Sequence, residues 1–419
     1  MAYVIIGASA GGVGAVEAIR EADPSGQIIV ITNEQPYSRP MISDFLADKT
    51  SQLNIYYRDD CFWEKHRVDL RTGRSVVQVN VEDKTVELDT GNVVRFEKLL
   101  IATGGRPVIP PIEGIDKAGI FTCNSLSEAN FLSASIEEGD SAVVLGGGLI
   151  GVSVAEALNQ RGLEVTLIEL KNRILNLVVD EVASEIVENA MTTNGVQVIT
   201  GETIRRLIGM KDDIRIGSVE LTNGTQIPCD VLVIAIGVIP RIELVEGTPL
   251  RVNRGIVVDR FMQTSASDIY ACGDVVETFD FLTKEHRLLP FWPLAHQGGR
   301  IAGYNMAGKP LSNSGGTMMT ALKAFGVAIV SLGVNPSSDE EGYDVLTYHD
   351  PDRDIYKKIV LQDNTIQGII FVTAIERAGL FFHLMKHQVN VKQFKHQLLS
   401  ETFGLASLPS TIRHAIFQV

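Results

Sequence analysis

The chain has 419 residues, 45% of them apolar and 21% charged, which is ample for several packed domains and excludes disordered, collagen-like and disulfide-stapled classes. Fifty-one acidic against thirty-seven basic side chains leave a formal charge of −14, so nucleic acid and anionic membrane surfaces are poor partners. Four cysteines, at Cys61, Cys123, Cys229 and Cys272, lie far apart and offer no spacing for zinc, an iron–sulfur cluster or a redox dithiol, so no metal site is expected. The longest apolar runs, such as Val231 to Pro240, are about ten residues, short of the ~18 to 20 that cross a bilayer. With a strand starting at once and no basic leader, the expectation is a cytoplasmic protein without a membrane span.

In chain order, the first predicted strand (Tyr3 to Ile6) runs into Gly7-Ala8-Ser9-Ala10-Gly11-Gly12. A helical stretch to Ala22, a turn at Pro24-Ser25-Gly26 and a second strand ending at Glu34 follow. The same order recurs from Ala142. A strand to Leu145 meets Gly146-Gly147-Gly148-Leu149-Ile150-Gly151, then a helix to Arg161, a break at Gly162 and a strand ending at Glu169. Each copy later reaches an apolar strand that closes on a glycine and is followed by a proline: Gly104 with Pro107, and Gly237 with Pro240. Hairpin signals at Asp89-Thr90-Gly91-Asn92 and Thr222-Asn223-Gly224-Thr225 precede them. The repeat predicts an α/β fold with two Rossmann-like dinucleotide-binding units, each carrying a β-meander.

One glycine loop of this kind is weak evidence for a nucleotide; two in matching contexts are strong. Gly7 and Gly146 permit the tight turn. The second position, Ser9 or Gly148, lets backbone approach a pyrophosphate, and Gly12 or Gly151 lets helix and strand pack closely. The helix start offers free N–H groups to phosphate, and an acid at the end of the next strand, Glu34 or Glu169, accepts ribose hydroxyls.

Pro36-Tyr37-Ser38-Arg39-Pro40, Ala102-Thr103-Gly104-Gly105-Arg106-Pro107 and Ile269-Tyr270-Ala271-Cys272-Gly273-Asp274 make residues 1 to 310 resemble the pyridine nucleotide-disulfide oxidoreductase superfamily, in its ferredoxin, rubredoxin and nitrite reductase flavoprotein branch. The resemblance implies FAD on the first unit, held by Gly7, Ser9, Ala10, Gly12, Glu34, Arg39, Pro40, Val76, Thr103, Gly104 and Asp274. It implies NAD(H) on the second, at Gly146, Gly148, Ile150, Gly151, Glu169 and Gly237. Glu169 favours NADH, because a carboxylate there repels the 2′-phosphate of NADPH; Lys171 and Arg173 read as solvated charges. In Pro290 to Gly303 the resemblance implies a helix starting against the flavin pyrimidine ring, with Trp292 and Gln297 as ring contacts and His296 as an ordinary helix residue.

Several family features are missing. No cysteine precedes Cys61, no single redox cysteine follows Pro40, and Ala10 stands where peroxidases of the family carry histidine, which argues against disulfide, peroxide and thiol chemistry. Cys61 reads as a packing residue of an amphipathic helix, and Cys272 as a small residue in the flavin motif. The lysine and glutamate that order the nicotinamide site in the ferredoxin-reductase branch are replaced by Asp44 and Ser153, implying a differently built pocket.

After residue 316 come an apolar stretch (Ala321 to Val334), a break at Asn335-Pro336-Ser337-Ser338, strands at Tyr343 to Tyr348, Ile355 to Leu361 and Ile366 to Thr373, and a helix at Arg377 to His387. This looks like the family's α+β interface domain. The division is 1–112 with 241–315 for FAD, 113–240 for NAD and 316–419 for the interface. Past Glu376, Arg377, Lys386, Lys392, Lys395 and Arg413 face only Glu401, reading as an ordinary solvated face or one that steers an acidic carrier. The expected function is hydride transfer from NADH to FAD, with electrons passed to an iron–sulfur protein or complex subunit; a homodimer or a heteromeric complex fits. The rivals are an NADH oxidase using oxygen directly and a structural FAD-binding subunit of an oxidoreductase complex.

Overall fold

The computed structural model describes residues 1–211, 213–336 and 340–416. Part of the break read at 335–338 therefore lies outside the described residues. The first unit centres on a five-stranded parallel sheet in the order Ile269–Ala271, Lys98–Ile101, Ala2–Ile6, Gln27–Thr32, Val68–Thr72. The second repeats it in the order Gln197–Thr200, Glu164–Glu169, Ser141–Leu145, Val231–Ile234, Ile120–Thr122. Central strands such as Val4-Ile5-Ile6 and Val143-Val144-Leu145 are buried because helices cover one face of each sheet and its antiparallel meander the other, so they read as continuous apolar runs. Each unit carries its three-stranded antiparallel meander, Val76–Asn80 to Val93–Arg95 and Ile204–Gly209 to Gln226–Pro228.

The expected helices form as Ala10–Ala22 and Leu149–Gln160. Gly7 and Gly146 sit at φ +103° and +113°, where a Cβ would collide with the carbonyls of Ala102 and Ala235. A Cβ on Gly12 or Gly151 would strike the carbonyl of Gly7 or Gly146, so both third glycines are demanded by contact between helix and loop. Just past the two closing glycines the units join: Gly105–Pro107 pairs antiparallel with Val238–Pro240 where the chain leaves the first unit and returns to it.

The apolar stretch after Ala321 resolves into a hairpin, Met319–Ala324 with Val327–Gly333, turning at Phe325-Gly326. With Thr365–Val372, Ile355–Gln362 and Asp344–Asp350 it makes a five-stranded antiparallel sheet. Tyr356, Ile370 and Val372 pack toward the second unit, while Ile359, Leu361 and Phe371 face the helix Ala378–Lys386. The basic C-terminal face is partly consumed internally: Arg377 donates to the carbonyls of Thr402 and Phe403, and Lys395 pairs with Asp344. Among the described residues no helix is long and apolar enough to cross a membrane.

Candidate functional site

The main cavity, about 750 Å³, lies where the two units and the C-terminal sheet meet. Ser9 and Ala10 of the first glycine loop, Arg39 and Pro40, Thr103 and Gly104, Asp274 and Trp292 all line it, drawn from segments far apart in the chain. A second cavity of about 280 Å³ is walled by Gly7, Ser9, Glu34, Arg39, Val76 and Thr103. Ser9, Arg39, Ala102 and Thr103 border both, so the two form one elongated slot along the edge of the first sheet.

The slot has the chemistry of a dinucleotide site. Ser9 occupies the N-cap of the first helix without a side-chain capping bond, and Gly148 does the same in the second unit, which leaves the helix starts to an outside acceptor. A Cβ on Gly148 would meet open space. The Trp292 indole N–H is buried and has no acceptor among the described residues. Burial raises the Asp274 carboxyl above the usual range, against the opposing charge of Arg39.

Glu34 accepts the Tyr37 hydroxyl at 2.8 Å and the Ser127 N–H at 3.0 Å, tying the first unit to the helix Leu126–Ser133. Glu169, 8% exposed, accepts the N–H groups of Gly147 and Lys171, each at 2.7 Å, and so braces the second glycine loop. Gly237 has φ +128° and is exposed three residues past the strand Val231–Ile234.

Asp44 and Ser153 both face the main cavity, joined there by charges the sequence reading did not find: Lys49, Glu156 and Lys323. Lys49 lies 3.9 Å from Asp44. Glu156, three residues past Ser153 and so one turn along the same helix face, accepts the Phe325 N–H at 2.9 Å from the C-terminal hairpin. The i, i+3 spacing was the available signal for Glu156; Lys49 and Lys323 arrive only through packing.

Gln297 lines a small void of about 20 Å³ beside Met262 and Asn313, which borders the main cavity at Gly273 and Ala295. Two expectations need correction. Cys61 is exposed on the helix Asp60–Lys65, whose buried face belongs to Trp63. Arg173 is not a freely solvated charge: it is half-buried and pairs with Glu181 at 3.0 Å. Cys123 and Cys272 line the main cavity, and burial pushes both thiols up to about 12, so neither is a thiolate at neutral pH.

Residues 1–299 match the model of the pyridine nucleotide-disulphide oxidoreductases. The chain belongs to that family. Residues 319–389 of this oxidoreductase match the rubredoxin NAD+ reductase C-terminal domain. It is 31% identical over 408 residues to the NADH-dependent phenylglyoxylate dehydrogenase subunit epsilon of Aromatoleum evansii, covering 96% of each chain. It is 32% identical over 330 residues to a rubredoxin-NAD(+) reductase of Alcanivorax borkumensis, covering 78% of this chain and 84% of that one. Among solved structures, an NAD-dependent persulfide reductase from A. fulgidus superposes with a TM-score of 0.89 at 28% identity, over all of this chain and 83% of that one. As in other pyridine nucleotide-disulphide oxidoreductases, the family implies FAD and NAD(H), and the uncapped helix starts, the unpartnered indole and the elongated slot fit the first of these.

Proposed function

We propose that the chain is the NADH-oxidising flavoprotein of an electron-transfer system that delivers electrons to an iron–sulfur partner, as a cytoplasmic reductase or as a subunit of a larger oxidoreductase complex. The observation that carries this is the slot joining the first glycine loop, Asp274 and Trp292 to the start of the second helix at Leu149 and Ile150. Its likeness over nearly full length to a dehydrogenase subunit favours the complex, and its C-terminal likeness to rubredoxin reductases supports an iron–sulfur acceptor.

In this reading residues 1–112 and 241–315 hold FAD, 113–240 hold NAD(H), and 316–419 form the interface domain. A bound flavin accepts hydride and releases electrons singly. Ser9 and the helix start behind it receive the pyrophosphate, Glu34 the adenosine ribose, and Asp274 the ribityl hydroxyls. Trp292 offers its N–H to the ring, and the start of its helix favours negative charge there. Glu169 takes the adenosine ribose of NAD(H), while Glu156 and Asp44 with Lys49 order the pocket where the second nucleotide meets the first. Cys123 and Cys272, held protonated, stay outside the electron circuit.

Stopped-flow mixing of the purified, anaerobic yellow protein with NADH tests the reading. Flavin absorbance is expected to bleach within the turnover time and to return on adding a rubredoxin or ferredoxin. A colourless protein, or a flavin that NADH leaves oxidised, would overturn it.

A further inference from the structure

The helix Trp292–Met306 touches the first glycine-loop helix backbone to backbone. A Cβ at Gly14 would strike the His296 carbonyl, at Gly299 the Gly11 carbonyl and at Gly303 the Ala15 carbonyl. This closeness lets Glu17, almost one turn beyond Gly14, reach across. Its Oε2 lies 3.2 Å from His296 Nε2, and its Oε1 accepts Arg58 at 2.8 Å. The His296 ring in turn lies parallel to the Trp292 indole, 5.8 Å between centroids and 5° between planes, with the edge of Tyr57 on the same indole at 5.7 Å. Trp292 is the residue that lines the main cavity with an unpartnered N–H.

Glu17 also borders an open groove of about 660 Å³ on the outer surface, with Tyr57, Arg58 and His66, so protons reach the pair from solvent. Burial opposes ionisation of Glu17, but Arg58 and His296 outweigh it and hold the carboxyl below the usual range. The other charged groups at this junction are Arg300, 3.4 Å from Glu17 and 2.9 Å from Glu21, and Asp59 and Lys65 along the groove. On the cavity side of the helix stands Asp274, whose carboxyl burial raises. His66, which also lines the groove, bonds the Phe62 carbonyl at 2.7 Å.

We propose that His296, paired with Glu17 and stacked behind Trp292, is a positioning and tuning residue that gives the flavin's reduction potential a step with pH. The inference rests on the flavin reading of the main cavity. An imidazole changes charge between about pH 5 and 8. Its cationic form, one ring behind the cavity wall, adds to the positive helix start and favours the negatively charged reduced cofactor. With the imidazole neutral, above that range, the contribution is absent and the potential is lower.

The test is equilibrium redox titration of the flavin-loaded full chain against pH, read by flavin absorbance. The wild type is expected to show the extra step. His296→Gln abolishes it and weakens the low-pH preference for reduced over oxidised flavin roughly tenfold, the scale of a single charge at about 10 Å in a partly screened site. Glu17→Gln moves the step along the pH axis, and His66→Gln leaves it in place. His296→Phe keeps the stack on Trp292 and is expected to hold flavin as the wild type does. A profile unchanged in His296→Gln at full flavin content overturns the inference, as does loss of flavin from both His296 variants with retention in Glu17→Gln, which marks a packing role. A wild type that binds no flavin instead overturns the functional reading beneath it.

Discussion

Tyr356 donates its hydroxyl to Asp180 at 2.7 Å across the junction between the second unit and the C-terminal sheet, and Lys358 stands 3.3 Å from the same carboxylate oxygen. Lys358 is 4% exposed and also donates to Asn335 and Pro336, so the ammonium is buried but fully engaged. Asp180 caps the helix Glu181–Thr193 with its other oxygen. Asp180→Ala would leave the lysine's charge buried without its counter-ion and is expected to cost about 3 to 5 kcal/mol. Tyr356→Phe removes one hydrogen bond and is expected to cost about 1 to 2 kcal/mol. Urea unfolding followed in the C-terminal sheet measures both, and equal small effects would show that the pair does not hold the junction.

Glu156 links the cavity wall to the C-terminal hairpin through the Phe325 N–H. Glu156→Ala is expected to loosen that wall and raise the Kd for NAD+ about three- to tenfold, the range set by the net worth of one hydrogen bond. Glu156→Gln keeps an acceptor oxygen and is expected to lie near the wild type. Titration of the oxidised protein with NAD+ by flavin fluorescence separates the two, and an unchanged Kd in the alanine variant would remove Glu156 from the pocket's function.

In the proposed function, Glu169 is expected to set discrimination against NADPH. Its carboxylate braces the second glycine loop, so Glu169→Ala acts twice: the loop loses acceptors for Gly147 and Lys171, and the negative charge that repels a 2′-phosphate is gone. NADH turnover is expected to fall about tenfold while the NADH-to-NADPH ratio of kcat/KM narrows. A ratio that stays fixed would place the specificity elsewhere.

Asp23 controls the turn after the first helix. It accepts the N–H groups of Ser25 and Gly26 at 3.0 and 2.9 Å and the Tyr3 hydroxyl at 2.9 Å. The Ser25 N–H first, and the other donors with it, pull its carboxyl down to about 2 against the effect of burial. A depressed carboxyl stabilises the fold above its unfolded pKa, near 3.9, and that contribution is lost as pH falls toward 2. Asp23→Asn is therefore expected to lower Tm at pH 7 and to narrow its gap to the wild type between about pH 4 and 2. A gap independent of pH over that window would contradict the assignment.

The repeat, its glycine loops and the acids ending the second strands were legible from residue order alone, because a positive φ, a helix start and an apolar strand are demands made within a few residues of chain. Gly7 and Gly146 show this: only glycine satisfies both the turn and the carbonyl packed against it. The C-terminal strands were likewise legible from their apolar runs, although the hairpin turn at Phe325-Gly326 was hidden inside one continuous apolar stretch.

What tertiary structure decided is which side chains meet. Cys61 faces solvent because the helix Asp60–Lys65 packs through Trp63, a rotation set by what the helix packs against and not by its own residues. Glu34 reaches Ser127, Glu156 reaches Phe325 and Glu17 reaches His296 across 93, 169 and 279 positions of chain. Local sequence therefore determined the two cradles, while the walls between them, and the charges set into those walls, came from close packing of surfaces that no short-range pattern encodes.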